Sequence, residues 1–260
     1  MTIDWVATIL VAVLLLSVLP LGDALAATKR KGKKKNASAS TRKGFGVAPV
    51  TLSDIASSLR HALPADPTTV LCPCRQGKGA SAVDDSVLSY ADCCQPHHWA
   101  ALMDQGIDPT IFFRSTDEPS TLPEGWKPRQ VLQSRYTAFS YRLIPYIIYT
   151  THTSCQYWQP NTVKWAQKLD TDGTMDTFNF LGLTVVEDKD IASEKDDEND
   201  ARKQATLTFR SHVRAKATGD EAVLKEISIF VRENDNMWFY ASGKARPEPV
   251  LKAQTATKNL

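Results

Sequence analysis

Two close pairs of cysteines are the residues of this chain best suited to chemistry. Cys72 and Cys74 form one pair, Cys93 and Cys94 form the other, and 18 residues separate them. Four thiolates held in two close pairs can surround one zinc ion tetrahedrally and leave no position open for water. The spacing therefore predicts a structural zinc site and not a catalytic one.

The sequence leaves other uses of these cysteines open. Either His97 or His98 follows the second pair closely enough to replace Cys94 as the fourth ligand. In an oxidising compartment the four cysteines could instead form two disulfide bonds, and free reduced thiols are a third alternative. The fifth cysteine, Cys155, has no activating neighbours in the sequence. It is predicted to be a packed thiol.

The composition is that of a folded protein without an extreme charge. The chain has 260 residues, of which 42% are hydrophobic, and a formal net charge of +2. This length allows one large domain or one domain with appendages. So small a net charge gives no overall field for nucleic acid or for a membrane surface.

The N-terminal region has the composition of a targeting sequence. Residues 5–21 form an almost unbroken apolar run with small residues shortly after it, which predicts a signal peptide over 1–26. The basic segment 27–48 contains no acidic residue and resembles an organelle transit peptide, with a disordered segment as the alternative. Signal and transit segments in series resemble the presequence of complex plastids, so the predicted route is secretory and then onward to such a plastid. The alternative is a membrane anchor formed by an uncleaved run 5–21.

Short elements are predicted before residue 129. Residues 51–63 carry apolar positions at helical spacing and end before Pro64, which predicts a short helix. The cysteine module occupies about 68–104. Segment 105–128 contains four prolines and two glycines, a composition typical of a linker or a wrapped arm.

The region 129–246 shows helical patterns followed by strand patterns. Helical periodicity comes first, over 132–143, 145–148 and 161–169. Alternating or β-branched segments then predict strands at 178–186, 204–214, 223–232 and 237–243, with an acidic loop at 187–200 and a disordered tail at 247–260. This order predicts an α+β domain in which helices pack on a curved antiparallel four-stranded sheet.

The cysteine module resembles the SEC-C motif, a small zinc module first known from the SecA translocation ATPase. Its usual form is Cys-Pro-Cys-Gly-Ser-Gly-Lys, a few residues, and then Tyr-x-x-Cys followed by Cys or His. Here the run 72–78 reads Cys-Pro-Cys-Arg-Gln-Gly-Lys and the run 90–94 reads Tyr-Ala-Asp-Cys-Cys. An insertion of about ten residues separates the halves without removing a ligand, and a longer loop raises the closure cost only slowly.

The second half resembles the YchJ-like family, in which a SEC-C motif is joined to a cone-shaped domain of the nuclear-transport-factor type. The matching residues keep the family's order and spacing: Ser134-Arg135-Tyr136, Tyr146-Ile147, Thr151-His152, the run 180–185, Glu226-x-Ser228-x-Phe230 and Trp238-Phe239-Tyr240-x-x-Gly243. The family has no established reaction. The resemblance therefore implies a fold and a metal, and no activity.

The resemblance also implies a set of cavity residues, because related cone folds often bury a polar group and use it for binding or acid–base chemistry. The polar and aromatic members of the matched region are Arg135, Tyr136, His152, Trp158, Glu226 and Trp238. His152 is the clearest titrating candidate. In the alternative interpretation, Arg135 and Glu226 form a buried structural pair between helix and sheet, and the aromatic residues fill the core.

The function expected from these features is that of a non-enzymatic protein-interaction module with a structural Zn²⁺ ion. SEC-C modules elsewhere mediate protein contacts, so a protein partner is expected and no nucleic acid. Membrane contact is expected only if residues 5–21 are retained. The alternative is a small-ligand-binding protein or an enzyme that uses the cone cavity. An open cavity with His152 or Glu226 facing into it would favour that alternative, and a filled core would contradict it.

Overall fold

The structure is a computed structural model that describes residues 49–76, 88–113, 119, 125–171, 173–191, 203–233 and 237–249. The predicted signal peptide (1–26), the basic segment (27–48) and the tail from residue 250 onward lie outside the described residues. Within the described ranges, none of the helices combines the length and the apolar character that a bilayer-spanning segment requires.

The centre of the fold is a four-stranded antiparallel sheet in which each strand pairs with the next along the chain. Its strands are β1 (Phe178–Ile191), β2 (Lys203–Ala215), β3 (Glu221–Glu233) and β4 (Met237–Glu248). The pairing of β1 with β2 shifts register twice and that of β3 with β4 once. Bulges of this kind bend strands. The predicted α+β class with a curved antiparallel four-stranded sheet is confirmed.

Two strands extend beyond the ends that the sequence predicts. β1 continues to Ile191, into the predicted acidic loop, because its backbone keeps pairing with β2 as far as Gln204. β4 continues to Glu248, into the predicted tail, and Glu248 Oε2 lies 2.5 Å from Arg210 Nε of β2.

The helices cover one face of the sheet and build the cysteine module. They are α1 (Leu52–Ile55), α2 (Tyr90–Cys93), α3 (Gln95–Asp104), α4 (Pro128–Tyr141), α5 (Ile144–Tyr149), α6 (Thr162–Thr171) and α7 (Thr174–Thr177). Short 3₁₀ turns lie at Ala56–Ser58, Pro73–Arg75 and Pro109–Ile111.

The first helix is shorter than the predicted helix over 51–63. Thr51 begins α1 with a capping box, in which its backbone N–H donates to Asp54 at 2.7 Å. The helix gives way to a 3₁₀ turn, and Leu59 adopts an extended backbone. The following segment is held from outside, because the Ala62 N–H donates to the carbonyl of Tyr141 at 2.8 Å. This tertiary hydrogen bond ties the segment to the end of α4 in a non-helical form.

One hydrophobic core runs through the cysteine module and the sheet domain. Buried residues of the module, such as Cys72 and Trp99, belong to the same cluster as Val131 of α4 and Phe230 of β3. The 3₁₀ turn that follows Cys72 packs on both α4 and β1. The module and the cone domain therefore form a continuous packed unit.

A buried arginine fixes the helices that close the domain. Arg142 follows α4 in the left-handed conformation, with a φ of 57°. Its Nη1 donates to Asp176 Oδ1 at 2.6 Å, and its Nη2 donates to the carbonyl and the Oδ1 of Asp170 at 2.9 and 3.0 Å. The ends of α6 and α7 are thereby held against the end of α4.

Candidate metal centre and cone cavity

The four module cysteines converge on one point. Cys74 Sγ lies 3.5 Å from the sulfurs of Cys72 and Cys93 and 3.6 Å from that of Cys94, and all four sulfurs lie within 4.8 Å of one another. A tetrahedral metal with bonds of about 2.3 Å to sulfur places its ligands about 3.8 Å apart, so these residues fit such a metal. The separations are too long for disulfide bonds, which need about 2.0 Å.

Local hydrogen bonds bring the two halves of the site together across the long insertion. The Cys72 N–H donates to the Leu88 carbonyl at 3.0 Å, and the Tyr90 N–H donates to the Val70 carbonyl at 2.8 Å. Ser89 then caps α2 by accepting from the Asp92 N–H. A small antiparallel bridge thus delivers the second pair of cysteines, at the end of α2, beside the first pair.

The environment of the thiols favours a cation at their centre. Burial raises the pKa of Cys94, and a hydrogen bond with Cys72 is the main cause of the raised pKa of Cys74. The pKa of Cys93 is lowered, mainly by hydrogen bonds from Cys72 and Cys74, with Arg75 contributing. Close thiolates repel one another, so only a positive charge among them allows all four to lose their protons.

Helix α4 supports the metal centre from the cone side. Thr137 is fully buried, and its hydroxyl lies 3.4 Å from Cys94 Sγ and 3.5 Å from Cys72 Sγ. A donor to a coordinating sulfur orients the ligand and tunes its charge. Thr137 therefore belongs to the metal site although it lies 43 residues beyond the last cysteine ligand.

A buried polar chain makes a second connection between module and cone. The Tyr90 hydroxyl lies 2.7 Å from His98 Nδ1, and His98 Nε2 donates to the Ser134 carbonyl at 2.9 Å. The Ser134 hydroxyl lies 2.5 Å from that of Tyr146. Both ring nitrogens of His98 are therefore used in hydrogen bonding. Burial lowers the pKa of His98 to about 3, so the imidazole is neutral.

His97 lies outside the sulfur cluster. Its ring packs edge-on against Trp126 at a centroid distance of 5.1 Å, and burial lowers its pKa to about 4. Its Nδ1 has no hydrogen-bond partner among the described atoms. The ligand atoms that gather in the described part of the chain are the four sulfurs, and the predicted substitution of a histidine for Cys94 is not what the structure shows.

The cone domain encloses a cavity of about 110 Å³ between its helices and the sheet. Most of the wall is apolar and comes from every helix that covers the sheet. These wall residues include Leu132, Phe139, Ile147, Trp165, Leu169, Met175, Phe209 and Phe230. Among the predicted cavity residues, Arg135, Tyr136 and Glu226 line it as well.

Glu226 lines the cavity, and one of its carboxylate oxygens has no protein partner among the described atoms. The side chain is 3% exposed. Its Oε1 accepts from the Ser228 hydroxyl at 2.5 Å and from the Tyr240 hydroxyl at 3.4 Å. Its Oε2 has no hydrogen-bond partner among the described atoms. Burial raises the pKa of this carboxyl group, and the hydrogen bond from Ser228 and the charge of Arg135 oppose that rise.

Gly243 makes room for that carboxylate. A Cβ atom at this position would lie 2.2 Å from Glu226 Oε1 and 2.7 Å from the Tyr240 hydroxyl. Both distances are far inside van der Waals contact. The glycine is therefore needed for the position of the acid.

Arg135 of α4 is bound by α5 and the two residues that follow it. Its Nη1 donates to the Ile147 carbonyl at 3.0 Å and to the hydroxyls of Thr150 and Thr151 at 2.6 and 3.1 Å. The guanidinium carbon lies 4.8 Å from the centre of the Tyr240 ring. Arg135 and Glu226 attract each other across the cavity, but the direct ion pair of the structural interpretation is absent from the described side chains.

The other predicted cavity residues have structural positions. Tyr136 lines the cavity, but its hydroxyl donates to the Gly182 carbonyl and accepts from the Gly182 N–H, both at 2.8 Å, and so holds the bulge of β1. His152, Trp158 and Trp238 lie outside the cavity wall.

His152 is absent from the residues that line the cavity. Its Nδ1 lies 2.6 Å from the Ser154 hydroxyl. Its Nε2 lies 2.8 Å from Glu233 Oε1 but is not aligned as a hydrogen bond. The titrating candidate that the sequence favours is therefore held by Ser154 and Glu233 and does not line the cavity.

The sequence analysis missed Thr137. Thr137 follows Ser134 by one helical turn, so its place on the module-facing side of α4 could have been found from helical spacing. Ser228 and Gly243 belong to the matched family pattern, but their contacts with Glu226 were not predicted. Ser228 lies two residues after Glu226 on one strand, and such residues share a face. The contact of Gly243 depends on the pairing of neighbouring strands, which the sequence pattern does not show.

A protein-family model and several UPF0225 proteins match this chain. The family model for the middle, NTF2-like domain of YchJ matches residues 127–243. A UPF0225 protein from Shewanella sp. (strain MR-4) is 30% identical over 172 residues, which cover 66% of this chain and 79% of that protein. A UPF0225 protein from Serratia proteamaculans is 25% identical over 183 residues, which cover 70% of this chain and 88% of that protein.

The solved structures include a SEC-C-motif-containing protein from Psychrobacter arcticus. Its similarity covers 68% of this chain and 82% of that one, with a TM-score of 0.46 and 20% sequence identity.

The metal centre predicts the outcome of removing one cysteine ligand. Cys72→Ser should lose the metal and the stability that depends on it, because a hydroxyl does not replace a thiolate ligand. Plasma mass spectrometry should find about one metal ion per wild-type chain and a clear loss in the variant. The matched control is Cys155→Ser, which removes a buried thiol outside the cluster. Full metal content in Cys72→Ser, or none in the wild type, would contradict the site.

A second prediction concerns the donor from α4. Thr137→Val keeps the shape of the side chain but removes the hydroxyl near Cys94, so the metal affinity should fall about tenfold. Competition with a chelator measures this affinity. Thr171→Val is the control, because the Thr171 hydroxyl donates only within α6, to the carbonyls of Gln167 and Lys168. Equal affinities for both variants would show that Thr137 has no role in metal binding.

A third prediction follows from the neutral, buried His98. Its folded pKa of about 3 lies below the ordinary value of 6.5, so the unfolded chain takes up a proton as the pH falls through 6.5 and the folded chain does not. The stability that depends on neutral His98 is therefore present above pH 6.5 and is lost toward pH 3. Between pH 7.5 and 5.5 the loss should be about 1.4 kcal/mol.

Urea unfolding of the wild type and of His98→Gln at these two pH values isolates this effect. His97 and the thiols contribute equally to both proteins. The stability difference between the two should shrink by the stated amount at the lower pH. A constant difference would mean that the folded protein accepts a proton on His98.

Proposed function

The chain belongs to the YchJ-like family of UPF0225 proteins, and on this premise we propose that it is a zinc-stabilised protein that binds a small ligand in the cavity of its cone domain. The single observation that carries the proposal is the buried carboxyl group of Glu226, which lines the cavity and whose Oε2 has no protein partner among the described atoms. The sequence left an interaction module and a cavity protein as alternatives. An open cavity with Glu226 on its wall favours the second.

Zinc is the metal proposed for the cysteine site. Four thiolates in tetrahedral spacing are the donor set of structural zinc sites, and a soft, redox-inactive ion suits them. Cys72, Cys74, Cys93 and Cys94 would hold it. With all four positions taken by sulfur, the ion supplies stability and rigidity but no bound water for chemistry.

The energetic case for a ligand rests on the cost of burying Glu226. A buried acceptor without a hydrogen bond costs on the order of 1–3 kcal/mol, and a charged one costs more. The hydrogen bonds from Ser228 and Tyr240 satisfy Oε1, and Arg135 attracts the carboxylate, but none of these satisfies Oε2. A bound molecule that donates to Oε2 would offset the cost, and this supports a binding role.

The wall of the cavity supports binding more than turnover. His152 is not among the residues that line it. Cys155 lines the cavity, but burial raises the pKa of its thiol, which disfavours the thiolate form of a nucleophile. Glu226 is the carboxylic acid of the wall. The described residues that line the cavity include no histidine that could exchange a proton with it. The protein partner and the plastid destination that the sequence predicts stay predictions, and the cavity proposal does not depend on them.

Xenon tests whether the cavity is accessible. In zinc-loaded protein labelled at the methionine methyl groups, xenon gas should shift the methyl resonance of Met175, which lines the cavity. Met103 on α3 is exposed and serves as the internal reference. Phe139→Trp should fill the cavity and abolish the shift. Phe239→Trp enlarges a half-buried aromatic residue away from the wall and should leave the shift unchanged.

An unmoved Met175 resonance in the wild type, or a shift retained in Phe139→Trp, would contradict an accessible cavity. With the cavity established, compounds no larger than benzene can be screened by the same Met175 resonance. Saturable binding that Phe139→Trp removes is the expected result.

A further inference from the structure

Several polar groups of the cavity wall are engaged by the protein. Arg135 of α4 donates through Nη1 to three acceptors on α5 and the two residues that follow it. Four hydroxyl groups of the wall donate to protein acceptors: Ser228 and Tyr240 to Glu226 Oε1, Tyr136 to Gly182 and Thr151 to Ile147. Glu226 Oε2 is the buried carboxylate oxygen of the wall that has no partner among the described atoms, and it is an acceptor when the acid is ionised.

The charges on the wall balance each other. Arg135 carries one positive charge, and Glu226 carries one negative charge when ionised. A cationic ligand at Oε2 would approach the guanidinium, and an anionic ligand would approach the carboxylate. Either ion would also lose its hydration in a largely apolar cavity, which costs far more than the desolvation of a neutral polar group. The wall therefore favours a neutral molecule.

The size of the cavity limits the ligand. An engineered apolar cavity of about 150 Å³ accepts benzene, and the cavity here has about 110 Å³. The walls opposite Glu226 are side chains of Leu, Ile, Phe, Met and Trp. They match a short hydrocarbon body that carries its one polar group at the end.

From these three observations we infer that the ligand is a compact neutral molecule with a short apolar body and an amide-type head group that donates a hydrogen bond to Glu226 Oε2. The inference rests on the proposed function of the cavity and names the chemical class of its ligand. An amide head group both donates and accepts, so it pairs with the carboxyl group whether Glu226 is ionised or protonated.

Three compounds with the same four-carbon body test the inference: butanamide, butanoate and butylammonium. Each is titrated into zinc-loaded protein while the methyl resonances of Met175 and Met103 are followed. Butanamide should shift Met175 in a saturable way, with an affinity at least about tenfold higher than either ion. Met103 should not move with any of the three.

Glu226→Gln supplies the decisive variant. Its amide can keep the hydrogen bond from Ser228 while presenting an N–H group, in place of an acceptor, to the ligand. Butanamide should then bind about tenfold more weakly, and butanoate should bind more tightly than it does to the wild type. Glu233→Gln makes the same chemical change on the same strand outside the wall and should alter neither affinity.

The outcomes separate the two proposals. If butanoate or butylammonium binds as tightly as butanamide, the inferred class is wrong and the cavity still binds ligands. If xenon shifts Met175 but none of the three compounds does, the class is also wrong. If xenon fails as well, the binding function itself is overturned. An unchanged butanamide affinity in Glu226→Gln would show that Oε2 does not receive the ligand.

Discussion

The two-sided packing of α4 is the constraint on which the rest of the structure depends. Toward the module, Thr137 contacts the cysteine sulfurs and Ser134 accepts from His98. Toward the sheet, Arg135 and Tyr136 face the cavity. Neighbouring residues of the helix thus serve different sites, and the helix cannot shift for one without disturbing the other. This explains why a cysteine module remote from the cavity in sequence belongs to the same core, since it anchors the helix that forms the cavity wall.

The cavity lowers the stability of the fold and at the same time provides space for a ligand. A void lined by large apolar side chains sacrifices packing contacts, and the buried carboxylate adds a desolvation cost. Both features lie at one place, between helices braced by Arg142 at one end and a sheet bent by bulges. A cone with a curved sheet can leave such a space because the strands bend away from the helices. The curved sheet and the helices form the cavity, and Glu226 adds a carboxyl group to its largely apolar wall.

The sequence predicts some of these features better than others, for physical reasons. Cysteine spacing predicts the metal site because the ligands are few and their chemistry is specific. Alternation predicts the strands, but not their ends, because the backbone of β1 keeps pairing with β2 through charged residues such as Asp188. The cavity residues were predicted with mixed success. Residue type suggests both Glu226 and His152, and only the three-dimensional structure shows that Glu226 lines the cavity and His152 does not. The cavity depends on how helices and strands distant in sequence pack together, and no local sequence pattern predicts that packing.

Gly243 links two positions that lie on adjacent strands. Its missing side chain leaves the space that the carboxylate of Glu226 and the hydroxyl of Tyr240 occupy. A relative with a larger residue at 243 would have to move or replace the acid, and a relative without the acid would be free to fill the space. The two positions are therefore expected to vary together during evolution. The residue at 243 would then report, in any member of the family, whether that member's cone still holds an acid at its centre.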